Sequence, residues 1–390
     1  MNETEDRSGA ADIVIAGAGL SGVCAAVTAA RRGARVMLIE RDAAPGGTAA
    51  GLRQRFLCGL FGNASDMPRA CLNPGLSDEI MARMSPNTRP QRMGQVWLLP
   101  YEPVQMVKLL ATLLKAEKNI IVKYSSTITS CRLQDDRISV VRYICRGRSH
   151  NVEGSAFIDA GAGILLEQSA EAQPAGRLSL PLAGFALDLG GVDWDEMLPV
   201  RVPYVLYGAV QRGELPVYAR WTAASFDAVS KSVQLKVSLP AGKALSAARQ
   251  MSRVIVKILR QELPAFRSAA LVWQATRVFA RDGVRLRGKY ILKDKDVITG
   301  KSFNDGVIKG AWPVEFWDPR QGPTYRYCRK DHYELPLRSL VSRNVSNLLA
   351  AGRSVSAEPG ALASLRVGGL CLATGEAAGR AAIDLGRKML

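Results

Sequence analysis

Three glycines at positions 17, 19 and 22, an acid at 40 and a glycine pair at 46 and 47 have the spacing in this chain that points most directly to chemistry. Gly17-Ala18-Gly19-Leu20-Ser21-Gly22 spells G-x-G-x-x-G. In such a run Gly17 permits the tight turn, Gly19 lets backbone touch a pyrophosphate, and Gly22 lets a helix pack closely on a strand. A helix starting there turns free N–H groups and the positive end of its dipole toward phosphates. Glu40, 18 residues beyond Gly22, can accept hydrogen bonds from ribose hydroxyls, and its charge would repel a 2′-phosphate. The chemistry implied is dinucleotide binding. A glycine-rich turn of an unrelated α/β protein is the competing reading, and the flanking pattern disfavours it.

That pattern is the frame the motif needs. Ile13–Ala16 reads as an apolar strand, Ser21–Arg32 as a helix stopped by Gly33, and Arg35–Ile39 as a second strand ending at Glu40. Arg41 follows, and then Pro45-Gly46-Gly47-Thr48. NAD dehydrogenases continue at this point into alternating strands and helices. A second glycine pair is instead expected where the chain passes again beside the pyrophosphate of FAD, with Thr48 offering a hydroxyl. An ordinary surface turn is the other meaning of that pair.

At 390 residues with 47% hydrophobic content, the chain can fill a core of two domains or of one large domain with insertions. The acidic, polar start Met1–Arg7 does not read as a signal or transit peptide, no transmembrane helix is expected, and a cytoplasmic location follows as the expectation. Seven scattered cysteines without C-x-x-C, and only His150 and His332, argue against a disulfide framework, a dithiol centre or a metal site. The net charge is +17, and the stretch 277–330 carries 13 Lys/Arg against 6 Asp/Glu. Such a bias can attract an anionic substrate, nucleic acid or an anionic membrane surface, although a solvated basic face is its commoner meaning.

Residues 49–102 read as irregular, a substrate-side insertion. A helix is expected over 103–118, strands over 120–124, 127–133 and 138–143, and an apolar strand running into Asp159-Ala160-Gly161. Further on, strands are expected at Pro216–Trp221 and Ser232–Leu239, with an amphipathic helix over Ala247–Leu263. The ending returns to the opening pattern: a strand over Val345–Ala351, a turn at Gly352 and a small-residue helix over Gly368–Leu385. A strand ending at Gly352 can bring backbone N–H groups to the ribityl–pyrophosphate region, with Arg353 pairing with a phosphate. The start of the last helix, at Gly368, can stabilise negative charge on a reduced flavin ring. Gly375 and Gly379, four apart, permit close packing on the opening unit, and a helix that only packs there is the alternative.

The arrangement resembles the FAD-dependent oxidoreductases of the glutathione-reductase-like superfamily. The likeness is to a bacterial branch with an "IPYRSL … NLLVAGR … RV…C…GQAAG" pattern. Here it stands as Leu335–Leu340, Asn347–Arg353, Arg366-Val367, Cys371 and Gly375–Gly379. That branch's "R-x-x-G-x-Y-x-L-x-x-x-D" stretch is matched by Arg285, Gly288, Tyr290, Leu292 and Asp296. The resemblance implies a Rossmann-like α/β fold with an inserted α+β substrate domain. It assigns 1–48, 103–165 and 336–390 to FAD binding, and 49–102 and 166–335 to a cap. It further implies that Thr127 and Ile128 meet adenine and that Asp159-Ala160-Gly161 makes a second crossing beside the flavin, with Gly161 close to it.

In this reading FAD is the cofactor, no metal takes part, and hydride passes between flavin and a small apolar or anionic organic substrate. The electron acceptor is left open. His332 beside Tyr333 can take a proton, and Arg366 can hold a carboxylate or stabilise reduced flavin. Arg285 and Arg338 are further anion-binding candidates, and Cys371 reads as packing rather than as a nucleophile. Where relatives often carry histidine at the end of a "yP-x-d-x-H" stretch, this chain has Trp312-Pro313-Val314-Glu315-Phe316-Trp317, and together with Tyr325 and Tyr327 these aromatics suggest a larger, more apolar pocket. An aromatic core cluster is the plainer reading of the same residues. Rival readings are an RNA-binding or tRNA-modifying flavoprotein, an NAD-only dehydrogenase and a non-catalytic flavin scaffold. Nucleic acid is disfavoured, because the basic stretch shows no recognisable RNA module.

Overall fold

The computed structural model describes residues 10–64, 66–68, 70–84, 88–161, 163–173, 181–227 and 231–387. The opening βαβ unit comprises β1 (Ala11–Ala16), α1 (Leu20–Ala30) and β2 (Val36–Ile39), followed by the short α2 (Gly47–Gly51). Residues 49–102, expected to be irregular, hold a small antiparallel sheet of β3 (Phe56–Cys58), β4 (Gln91–Met93) and β5 (Val96–Pro100), with α3 (Leu76–Met84) between them. Those strands are only three to five residues long, too short for alternation to show in sequence. Next come α4 (Pro103–Ala116), β6 (Ile120–Lys123), β7 (Ser126–Gln134), β8 (Arg137–Cys145), β9 (Arg148–Asp159) and α5 (Ile164–Gln168). Glu102 starts α4 by accepting from the Val104 and Gln105 N–H groups.

A second unit contains β10 (Ala183–Gly190), α6 (Leu198–Gln211), β11 (Ala223–Asp227), β12 (Ser232–Leu239), α7 (Leu245–Glu262) and β13 (Ala270–Gln274). The strand expected at Pro216–Trp221 is instead a 3-10 helix over Val217–Trp221, capped by the Thr222 hydroxyl bonding back to the Ala219 carbonyl. The remaining elements are α8 (Asp294–Thr299), β14 (Gly306–Gly310), β15 (Val314–Asp318), β16 (Gly322–Arg326), β17 (Tyr333–Pro336), β18 (Leu348–Ala350), α9 (Pro359–Leu365) and α10 (Gly368–Arg387).

The main sheet runs β6-β2-β1-β9-β8-β7, with β18 also on β9. Strand β9 joins its two halves. Arg148–Glu153 pairs antiparallel with β8, and Gly154–Asp159 pairs parallel with β1. The parallel strands are apolar on both faces, as burial on both sides requires. Helix α1 is buried along its whole length because α10 lies on it. A Cβ at Gly375 would stand 2.1 Å from the Ser21 carbonyl oxygen, and one at Gly379 would stand 2.5 Å from that of Ala25. Gly375→Val is therefore expected to lower the melting temperature, at the upper end of the ~1–3 kcal/mol cost of overpacking. On the same helix a Cβ at Gly386 would have no neighbour nearer than 3.7 Å, so Gly386→Ala should hold or raise stability, by up to ~1 kcal/mol of helix propensity. Thermal denaturation of the two variants checks both.

The cap sheet, β11-β12-β10-β13, is antiparallel and has two unlike faces. Val233, Leu235, Val237, Leu187 and Leu189 bury one face against α6 and α7. The alternate residues Asp188, Gln234, Lys236 and Ser238 share the other. On that side the Gln234 amide donates to the Arg53 carbonyl at 3.2 Å and to the Asp188 carboxylate at 3.1 Å. Asp188 also takes Arg53 at 3.0 Å and Arg55 at 3.4 Å. The polar face of the cap is thus turned toward the segment that follows α2. Residues Leu292, Ile308, Val314 and Leu335, expected with the cap, share a core with α9, α10 and β5.

Candidate active site

The glycines of the first motif have different duties. Gly17 has φ +91°, and its Cβ would lie 2.5 Å from Gly161 Cα, so the ends of β1 and β9 touch through backbone. A Cβ on Gly22 would lie 1.8 Å from the Gly17 carbonyl oxygen. Gly19 is different: it has ordinary extended backbone, φ −66°, and its Cβ would meet nothing within 4 Å. As the N-cap of α1 it brings no side chain to cover the first N–H groups, and the space beside it is clear. Gly46 (φ +113°) and Gly47 (φ +50°) fold the second pair onto the first. The Gly46 N–H donates to the Ala18 carbonyl at 2.8 Å, and a Cβ on Gly47 would stand 3.0 Å from Gly19 Cα. Thr48 lies in the first turn of α2.

Glu40 is buried at the end of β2 and has a local duty that spacing did not reveal. Its carboxylate accepts the Ala18 N–H at 2.5 Å and the Asp42 N–H at 2.8 Å, fastening the phosphate-facing turn. A carboxylate offers about four lone-pair sites, so acceptor capacity remains. The start of β7 runs alongside, with the Ser126 N–H donating to the Glu40 carbonyl at 2.9 Å. Ile128 is buried two residues further on.

Asp159 is the central residue that sequence reasoning undervalued. Fully buried at the end of β9, it accepts from the N–H groups of Gly161, Gly163, Leu165 and Leu166 and from the Ser354 hydroxyl. Burial pushes its pKa up, and these hydrogen bonds oppose the shift. It ties Asp159–Gly161 and Gly163–Leu166 to the returning C-terminal chain. Asp159→Ala leaves several buried donors without partners, at ~1–3 kcal/mol each, so a stability loss on the order of 3 kcal/mol or more is expected in urea denaturation.

The C-terminal return corrects one expectation. Gly352 (φ +64°) is needed for close approach, since its Cβ would lie 2.3 Å from Ser21 Oγ. Its N–H, however, donates to Thr374 Oγ1 at 3.0 Å and so is already committed. Arg353 is half-buried and donates to the Ala280 carbonyl at 2.8 Å. Burial, and then the cations Arg366, Arg41 and Arg277, hold its pKa below the usual value. Arg277 is paired in bidentate fashion with Asp42 at 2.6 and 2.7 Å. At the start of α10, a Cβ on Gly368 would lie 2.3 Å from the Leu57 side chain and one on Gly369 would lie 2.6 Å from the backbone of Gly59 and Leu60. These glycines therefore serve packing on β3 and the turn after it.

A pocket near the α9–α10 junction is lined by Arg281, Asp282, Phe316, Leu362, Ala363 and Arg366. Arg366 follows α9 as its C-cap and donates to the Glu315 carbonyl at 3.0 Å. The Glu315 carboxylate is held from both sides by indoles, Trp312 Nε1 at 3.0 Å and Trp317 Nε1 at 2.6 Å. The aromatic cluster thus has a polar task in place of forming a wholly apolar wall. Arg281 stacks on Trp317, with Cζ 4.0 Å from the ring centroid, and donates to the Leu182 carbonyl. Burial, and then the Arg366 guanidinium, push the pKa of Arg281 down to about 9. Tyr325, nearly half exposed, has its pKa raised by partial burial and then by Glu315.

Tyr333 does not join this pocket. It is buried, and its hydroxyl is engaged with Ser364 Oγ at 2.7 Å, which in turn bonds to the Trp312 carbonyl. His332 precedes it on the loop that packs over Gly300, and neither residue lines the pocket that holds Arg366. His332 lies just before β17, whereas Tyr333 is its first residue and is buried. Arg338 is spent on Asp305 at 2.9 Å, and Arg285 is buried. The matched stretch 285–296 is architectural: Gly288 packs on Ser356, and the Tyr290 hydroxyl donates to Asp296 at 2.6 Å. Burial raises the pKa of the Cys371 thiol, which suits packing.

The residues present fit FAD. A side chain at Gly19 would project into the open space before an uncapped helix start, and a half-buried arginine lies among further cations, a donor set matched to a diphosphate. The family model described as FAD dependent oxidoreductase matches residues 12–174 and 202–386. Among solved structures, a geranylgeranyl bacteriochlorophyll reductase-like protein from Thermoplasma acidophilum is similar at 12% identity and TM-score 0.53, over 97% of this chain and 79% of that one. The anhydrotetracycline hydroxylase OxyS from Streptomyces rimosus aligns at 12% identity and TM-score 0.50, over 98% of this chain and 63% of its own. At such identities the likeness is one of fold. No curated protein sequence matches the chain. Among the described residues, no helix is long and apolar enough to cross a membrane.

Proposed function

The chain belongs to the FAD dependent oxidoreductase family, and we propose that this enzyme passes a hydride between a small organic substrate and its flavin beside Arg366. FAD is the cofactor, and when bound it supplies the redox chemistry. The start of α1, with Gly19 and Gly47, receives the pyrophosphate; Arg353 and Arg41 add charge to that grip, and Glu40 keeps acceptor capacity for ribose. Asp159 keeps the Gly161 crossing in place, and Ile128 borders the adenine side. Arg366 holds an anionic group of the substrate or stabilises charge that develops near it. One observation carries the reading: an open helix start beside a folded-back glycine pair, with the half-buried Arg353 among further cations.

The test is anaerobic reduction of the bound flavin, followed at its band near ~450 nm. Deuterium on the donated carbon of a substrate that bleaches the band should slow the bleaching. An isotope-insensitive reduction, with chemistry shown to be rate-limiting, would overturn the hydride assignment.

A further inference from the structure

We propose that the outer layer of the cap, formed by α6 and α7, is a docking face for an anionic lipid surface. The two helices lie side by side on the apolar face of the cap sheet, and each buries one flank there. On α6 that flank is Leu198, Val202, Leu206 and Ala209. A surface helix ordinarily turns charge to water on its other side. Helix α6 does not. Arg201 is its one charged residue, and Val200, Tyr204 and Tyr207 recur at helical spacing opposite the buried flank. Val200 is 62% and Tyr204 77% exposed, so neither rests on another part of the chain. Met197, exposed just before the helix, extends the row.

Helix α7 places charge beside that row. Arg249, Arg253 and Lys257 recur every four residues on its exposed side, and among the described residues none of the three has an ion pair. Like charges at that spacing repel one another along a helix in water. The Arg220 guanidinium, 5.8 Å from the centroid of the Tyr207 ring, adds a cation at the border of the apolar row. The acids of the layer do not answer the α7 row. Asp195 holds Arg201 at 3.0 Å, Glu214 and Glu262 both hold Arg212, and Asp193 and Glu196 lie before the start of α6. Aliphatic and aromatic side chains next to a row of unpaired cations match a lipid interface. The apolar ends enter the headgroup boundary while the cations meet lipid phosphates. A second copy of this chain would bring another basic row to the same contact, so the charge favours an anionic bilayer as the occupant. The opposite face of the cap sheet is the one bonded to the segment after α2, through Asp188 and Gln234, so docking by the outer helices leaves the dinucleotide cradle untouched.

The experiment is co-sedimentation of the purified holoprotein with vesicles of phosphatidylcholine alone, or of phosphatidylcholine with an equal amount of phosphatidylglycerol. Binding to the mixed vesicles, weakened by salt, and little binding to phosphatidylcholine are expected. Arg253→Gln/Lys257→Gln should lower partitioning roughly 30-fold, the loss of two charges near the surface. Val200→Ser/Tyr204→Ser should remove the part of the binding that resists salt. All four positions are exposed, so flavin content and melting temperature should stay at wild-type values. Arg146→Gln/Arg148→Gln removes the same charge from the exposed turn between β8 and β9 and should bind as wild type does. An equal loss in that control would assign the binding to net charge and overturn the docking face. So would equal binding to both kinds of vesicle, or none to the mixed ones. Sedimentation of the protein alone tests the remaining occupant: a dimer that Val200→Ser/Tyr204→Ser dissociates would show a second copy on α6 and overturn the lipid assignment.

Discussion

Gly19→Val protein is expected to fold and to purify without flavin. Most glycines of the cradle cannot separate these two outcomes. At Gly22 an added Cβ would lie 1.8 Å from the Gly17 carbonyl, and at Gly17 the backbone itself is left-handed, so substitution at either disturbs β1 and α1 before any ligand is considered. Gly19 has φ −66° and ψ −177°, which valine adopts readily, and its side chain would enter empty space. That space is the place proposed for the pyrophosphate. Loss of close backbone approach removes hydrogen bonds to charged oxygens worth ~1.5–3 kcal/mol each, and the isopropyl group excludes the phosphates outright. The affinity should therefore fall by more than 1,000-fold, on the order of 4 kcal/mol or more, from the combined loss of two or more such bonds. The measurements are the ratio of flavin to protein absorbance on purification and the melting temperature of the apoprotein. A stable variant carrying a full complement of flavin would place the pyrophosphate elsewhere.

The cradle was legible in the sequence because its constraints are local. Backbone that must turn, approach and pack within six residues leaves glycines at set intervals, and Gly46-Gly47 announced the second pass for the same reason. The helix face carrying Gly375 and Gly379 was legible too, because only missing side chains allow α10 to meet the backbone of α1. What escaped were contacts whose partners are distant along the chain. Asp159 finds Ser354 from 195 residues away, and nothing around Asp159 signals that five donors will converge on it. The Gly352 N–H read as free because Thr374 lies on another element, 22 residues on. Arginines in the basic stretch read as a solvated face, yet Arg281 and Arg285 are directed inward, and the charge that they bring depends on how the cap docks. Aromatic residues at 312 and 317 suggested an apolar wall, and only the fold shows both indoles turned to Glu315.

Arg366→Ala is expected to slow substrate-dependent reduction of the flavin by roughly 100- to 1,000-fold, the usual consequence of removing one preorganised donor from a site where charge develops. The residue is suited to that effect by position and by surroundings. It ends α9 immediately before α10, it is anchored through the Glu315 carbonyl at 3.0 Å, and it is half-buried, so water screens its charge less than at the surface. Flavin should stay bound, since the proposed grip on the phosphates lies at the start of α1. Arg366→Lys keeps a charge but loses the planar fork, so it should recover only part of the rate. His332→Ala separates the two sides of the site. The structure puts His332 on the loop over Gly300 and outside the Arg366 pocket, so its removal should leave reduction near the wild-type rate. Stopped-flow absorbance under anaerobic conditions reads all three variants. A wild-type rate in Arg366→Ala would remove this pocket from the chemistry. A loss in His332→Ala as large as that in Arg366→Ala, with an altered pH profile, would show that the proton leaves through the β14–β17 side, because only a titrating group on that path would move both.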